Sequence, residues 1–109
     1  MSEIKTPLPR DVTERVRRLG ANVRVARQRR RMSQEDLASK AGVNDKTLRR
    51  LEKGDEGVSL GNALSVLWTL GLLQTTSGIA DPDTDEHGKT LELARLPKRT
   101  RAPAPSDDF

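Results

Sequence analysis

The chain has no cysteine and no tyrosine, and its 109 residues include one histidine, one tryptophan and one phenylalanine. Without cysteine there is no disulfide, no thiolate zinc site and no thiol nucleophile, which accords with a reducing compartment. The one histidine, His87, has no second ligand candidate in its local sequence and reads as a solvated loop residue. No apolar run approaches the roughly 18 residues of a membrane span. The opening MSEIKTPLPR lacks the apolar segment of a secretion signal, so a cytoplasmic protein is expected, with no membrane partner. The glycines form neither a GxGxxG nor a P-loop pattern, and the carboxylates are scattered among arginines. No nucleophile with its base, acid–base pair or metal cluster is visible, so the expectation is no enzyme, no catalytic residue, no metal and no cofactor.

What the chain has in quantity is positive charge, unevenly spread. Residues 1–58 hold 15 Lys/Arg against 9 Asp/Glu, net +6, whereas residues 59–109 hold 5 against 7, net −2. A basic half of this kind is the electrostatic footprint of a phosphate-binding surface, although arginine-rich helices also serve as plain solvated faces. The length suits one small domain with appendages, and a core of roughly 55 to 65 residues is feasible without staples.

The first helical pattern starts near Asp11, where Asp11 and Glu14 have capping-box spacing and Pro9 lies just outside. Val12, Val16, Leu19, Val23 and Ala26 then recur at intervals of four and three, one buried stripe of an amphipathic helix. Arg15, Arg17, Arg18, Arg24, Arg29, Arg30 and Arg31 occupy its other faces, and Gly20 leaves room for a break.

The stretch from Gln34 to Lys53, QEDLASKAGVNDKTLRRLEK, carries the clearest signal. Ser33 is a helix N-cap, Leu37, Ala38 and Ala41 share a face, and Gly42 supplies a left-handed stop. Asn44 caps a second helix with Leu48 and Leu51 on its buried side, and Gly54 ends it. Two short helices joined by a glycine turn make a helix-turn-helix.

Residues Leu19 to about Leu73 resemble the Cro/XRE class of helix-turn-helix domains, found in phage repressors and antitoxins. The resemblance rests on Arg27, the run Ser33-Gln34-Glu35-Asp36-Leu37-Ala38, then Gly42-Val43-Asn44 and Leu48 through Leu51-Glu52-Lys53-Gly54. It implies an all-α, compact four- to five-helix domain over 19–73 with the motif at 34–53, to which the pattern and composition add a partly helical extension at 1–18 and a largely disordered tail at 74–109 with a short helix at 90–96. It implies further that Arg27 forms a structural ion pair with Glu52 and that Gln34 anchors a DNA phosphate.

If the motif's second helix lies in the major groove, its outward positions face base edges. Lys46, Arg49 and Arg50 can donate to guanine, and Asp45 can accept from cytosine or serve only to complement the helix dipole. Ser33, Asn44 and Lys53 are further backbone contacts, and Thr47 can reach a phosphate or a thymine methyl. The expected partner is double-stranded DNA.

Ser59 caps a further helix whose stripe is Leu60, Ala63, Leu64 and Leu67. Val66, Trp68, Leu70, Leu72, Leu73 and Ile79 are left over as a homodimer interface, unless Trp68 merely fills the core. Beyond Asp81 the chain is acidic and turn-rich, then offers a leucine-bearing segment from Leu91 to Leu96, and ends in a Pro-rich stretch with a basic cluster at Lys98, Arg99 and Arg101. The region from Leu70 onward resembles antitoxins encoded beside HipA-type kinase toxins, which implies an autoregulating repressor that binds a toxin. A stand-alone repressor of phage or mobile-element genes, or an interaction module that no longer reads DNA, are the other readings.

Overall fold

A computed structural model describes residues 7–97 of the chain. The described residues form an all-helical structure: α1 (Arg10–Arg29), α2 (Gln34–Ala41), α3 (Asp45–Glu52), α4 (Leu60–Thr69) and α5 (Glu86–Ala94), with single 3-10 turns at Leu73–Thr76 and Pro82–Thr84. They divide into two units, one ending at Thr76 and the other starting at Ser77. No helix among them is long and apolar enough to cross a membrane. The disorder expected of the last dozen residues, and the basic cluster at Lys98, Arg99 and Arg101, lie outside the described residues.

Helix α1 departs from the sequence reading at both ends and in the middle. It starts at Arg10 with Pro9 as the flanking residue, and no side chain caps it. The Pro9 carbonyl accepts from the amides of Val12 and Thr13, each at 3.0 Å, so the Asp11–Glu14 capping box does not form. Gly20 does not break the helix. A Cβ there would collide with the carbonyl oxygens of Leu51 and Glu52, so glycine is what lets α1 and α3 approach backbone to backbone. The helix ends where Arg31 adopts φ 53°, a left-handed conformation usually given to glycine, with its amide bonded to the Gln28 carbonyl at 3.0 Å.

The buried stripe of α1 is Gly20, Val23, Ala26 and Arg27, with Leu19 packed alongside. Val16 is only half-buried and Val12 is exposed, because a twenty-residue helix outruns the eight-residue α3 against which it packs.

The turns that set the motif are local. Ser33 closes a capping box: its hydroxyl oxygen accepts from the Asp36 amide at 3.0 Å, and its amide donates to the Asp36 carboxylate at 3.4 Å. Gly42 takes φ 75° and ends α2, and Asn44 caps α3 by accepting from the Thr47 amide at 2.7 Å. Ser59 caps α4, and Ser65 ties α4 to the end of α2 by donating its hydroxyl to the Ala41 carbonyl at 2.8 Å.

The core joins Val23 and Ala26 of α1, Leu37, Ala38 and Ala41 of α2, Leu48 and Leu51 of α3, and Ala63, Val66, Leu67 and Leu70 around α4. Helix α4 therefore faces the core along 63, 66, 67 and 70, a stripe turned by roughly 60° from the one read as 60, 63, 64 and 67. Leu60 is 70% exposed as a result, and Val66 and Leu70, assigned to a dimer interface from sequence, are buried core residues instead. A leucine-rich helix leaves its phase undetermined until its neighbours are placed.

The second unit holds α5, which starts four residues before the short helix read at 90–96. The Asp85 carboxylate accepts from the Gly88 amide at 2.9 Å, and a Cβ at Gly88 would strike that carboxylate. Glycine in the first turn thus permits the cap rather than breaking the helix, and His87 lies in α5, exposed, instead of in a loop.

Candidate nucleic-acid interface

The angle between α1 and the motif is braced by a buried pair. Arg27 donates from Nε to Glu52 Oε2 at 2.7 Å and from Nη2 to Oε1 at 3.0 Å, while its Nη1 donates to the Met32 carbonyl at 2.9 Å. The two side chains are 11% and 4% exposed. The guanidinium is held above its ordinary pKa by hydrogen bonding to Glu52 and by that carboxylate's charge, with burial opposing. One residue thus grips the end of α3 and the loop that precedes α2, a job suited to a planar fork with five donors.

Gln34 joins the same cluster, its Nε2 donating to Glu52 Oε1 at 3.0 Å. One of its two amide hydrogens is therefore used internally, and the other stays available. Ser33 and Asn44 likewise spend a side-chain oxygen on their caps, leaving a hydroxyl hydrogen and an amide group respectively for any outside contact.

On α3 the residues singled out from sequence separate into different surroundings. Lys46, Arg49 and Lys53 are exposed, whereas Asp45, Thr47 and Arg50 are half-buried. Lys46 makes no ion pair among the described residues. Arg50 does: its Nε donates to Asp55 Oδ2 at 2.7 Å, and Asp55 Oδ1 accepts from the Gly57 amide at 2.7 Å. Hydrogen bonding to Asp55 raises the Arg50 pKa, and the same bond lowers that of Asp55. Asp55 was not picked out from sequence. Its signal is indirect, since Gly54 at φ 80° turns the chain so that a carboxylate five residues on meets the guanidinium.

Arg49 and Lys53 line an open notch of about 480 Å³ together with Arg24, Arg27, Ser33, Gln34 and Glu52. It lies where α1, the start of α2 and the end of α3 meet. Four cations and one carboxylate line it, and both oxygens of that carboxylate are already engaged by Arg27 and Gln34.

Of the six residues read as a dimer interface, Val66 and Leu70 are buried, Leu72 is half-buried against the core, and Trp68, Leu73 and Ile79 are exposed, Trp68 by 66%.

A capped, glycine-turned helix pair with its second helix presenting free cations is the arrangement of a DNA reader, and a family model described as a helix-turn-helix domain matches residues 18–76. The chain belongs to that helix-turn-helix family. The match spans more than half of the chain and takes in α2, α3 and α4 whole and α1 from residue 18 onward. No curated protein matches the chain closely enough to count as a relative. Family membership makes the protein a DNA-binding regulator.

Proposed function

We propose that this protein is a Cro/XRE-type repressor that binds an inverted-repeat operator as a homodimer in the cytoplasm. The observation that carries the reading is the free, exposed Lys46 near the start of an α3 whose angle is fixed by the Arg27–Glu52 pair. A reader held at a fixed angle presents its N-terminal side chains to base edges in a repeatable register. Lys46 and Asp45 are the foremost readers. Arg50 reads from the position that Asp55 gives it, while Ser33, Gln34, Asn44, Thr47 and Lys53 hold the DNA backbone. Arg49, next to the notch, lies between the two sets. Exposed Trp68 and Leu73 supply the apolar patch through which two copies pair, so that two α3 helices meet half-sites about one helical turn apart.

The protein's role within that class is an autoregulating antitoxin with a HipA-type kinase toxin as its partner. Leu91, Leu93 and Leu96 in and just after α5 are 50%, 67% and 56% exposed, an apolar display that a lone domain has no use for and a docking partner does. A module that only binds protein is disfavoured, since it has no need of free cations on α3.

Binding of the full chain to duplex DNA from its own upstream region, measured against salt, tests the reading. The expected result is a steep fall of log K with log salt, and loss of preference for that DNA over a random duplex in Lys46→Ala. A salt slope near zero would remove DNA binding, and one monomer per operator would remove the dimer. Failure to capture a kinase encoded beside it would leave a stand-alone repressor.

A further inference from the structure

On α1 the positions 17, 20, 24 and 27 follow one another at intervals of three, four and three, which places them on a single strip of the helix. The strip is the one that meets the end of α3. Arg17 lies against Gly54, Gly20 against the carbonyls of Leu51 and Glu52, and Arg27 bonds Glu52. Arg24 is delivered by the same geometry to the notch that Arg49 and Lys53 line from α3.

The charge of that notch is unbalanced. Arg27 and Gln34 occupy the Glu52 carboxylate, and none of Arg24, Arg49 and Lys53 has an ion-pair partner among the described residues. Cations in the last turn of α3 are favoured by the helix dipole, which accounts for Arg49 and Lys53. It does not account for Arg24, which sits inside α1, away from either end. Three unpaired cations brought to one notch from two helices give it a positive potential that a bound anion neutralises. The Gln34 amide N–H, first of the orphan donors of α2, has no acceptor among the described residues and adjoins the same space.

We propose that this notch seats one phosphate of the DNA backbone, clamped by Arg24, Arg49 and Lys53. The inference rests on the DNA-binding reading above and deepens it in two ways. It adds Arg24 of α1 to the interface, and it makes Arg49 a backbone clamp rather than a reader of bases. The clamp fixes how far α3 slides along the groove, because it ties α1 and α3 to the same point on one strand.

The test uses the full chain, a duplex from its own upstream region and a random duplex of equal length, with binding followed across a salt series. Arg15 lies nine residues before Arg24, on the opposite side of α1, and Arg15→Gln is the control. Arg24→Gln and Arg49→Gln are expected to weaken both duplexes alike, by about tenfold. Both should flatten the salt dependence, and the double variant should lose less than the two single losses combined, as side chains sharing one phosphate require. Unchanged melting of Arg24→Gln would establish that its effect is on binding. If Arg24→Gln binds like Arg15→Gln while wild type keeps its salt dependence, the clamp is overturned and DNA binding stands. Loss confined to the preferred duplex in Arg49→Gln would return Arg49 to base reading and overturn it too. Tight uptake of inorganic phosphate at matched ionic strength, without competition against DNA, would assign the notch to a free anion and likewise overturn it.

Discussion

Arg50 of α3 and Asp55 of the following loop form a 2.7 Å hydrogen-bonded ion pair across the left-handed turn at Gly54. The donated hydrogen bond from Arg50, then that from the Gly57 amide, holds the Asp55 carboxyl below its ordinary 3.8. A lowered carboxyl pKa in the folded state favours folding once the group is ionised. The pair's contribution is therefore present above about pH 4 and lost as pH falls through the lower, folded value. Arg50→Gln should raise the Asp55 carboxyl back toward 3.8, seen as a shifted titration of its carboxyl carbon in NMR. An unchanged titration would mean that Arg50 does not set it. Asp55→Asn should in turn free Arg50 and alter base preference at one position with little change in melting, since the two side chains remain 41% and 40% exposed and water screens the pair.

The Arg27–Glu52 pair should behave differently because both side chains are nearly out of solvent. Removing one partner leaves an uncompensated buried charge, so Arg27→Ala and Glu52→Ala should each cost about 3 kcal/mol in urea unfolding. Glu52→Ala also strands the Gln34 amide. Arg27→Lys should recover only part of the loss, as an ammonium cannot hold two carboxylate oxygens and the Met32 carbonyl in one plane. Equal unfolding midpoints for wild type and both alanine variants would show that the pair braces nothing.

The legible parts of this fold are those written in short range. Ser33, Asn44 and Ser59 cap the helices they immediately precede, and Gly42 and Gly54 stop the ones they follow, so the motif and the all-α class could be read from neighbours along the chain. Apart from two local misses, the start of α1 at Pro9 and the Asp85 cap of α5, what could not be read depends on residues distant in sequence. The role of Gly20 exists only because α3 passes against it, and the phase of α4 is fixed by α2 through contacts such as that of Ser65 with Ala41. The end of α1 at Arg31 carries no glycine to announce it. In the candidate interface, Lys46 and Lys53 are exposed as helical spacing suggests; the diversion of Arg50 to Asp55 has only the indirect signal of the turn at Gly54, and the arrival of Arg24 beside Arg49 follows from three-dimensional placement.

Two glycines inside helices should respond to alanine with opposite signs. Gly20→Ala improves helix propensity by about 1 kcal/mol but forces a Cβ into the Leu51 and Glu52 carbonyls, so a net loss of about 1–3 kcal/mol is expected. Gly61, near the start of α4, has open space at its Cβ position, and Gly61→Ala should stabilise by about 0.5–1 kcal/mol. Thermal unfolding of the two variants side by side checks the close approach of α1 and α3. A Gly20→Ala protein as stable as Gly61→Ala would mean that the helices stand further apart.

Trp68 offers the sharpest test of pairing. Its neighbours on either side in α4, Leu67 and Thr69, are buried and half-buried, yet the indole itself is 66% exposed. A large aromatic left in water at that level adds little to the stability of the single chain, so Trp68→Ser should still fold, with any fall in melting dependent on protein concentration. If the indole anchors a second copy, burying it there removes apolar area worth roughly 25 cal/mol per Å² from water, and the variant should sediment as a monomer where wild type is a dimer. Operator binding should weaken with it, because the two half-sites are then bound by unlinked copies and the second binding event is no longer intramolecular. A Trp68→Ser protein that remains dimeric at the same concentration would place the interface on another face.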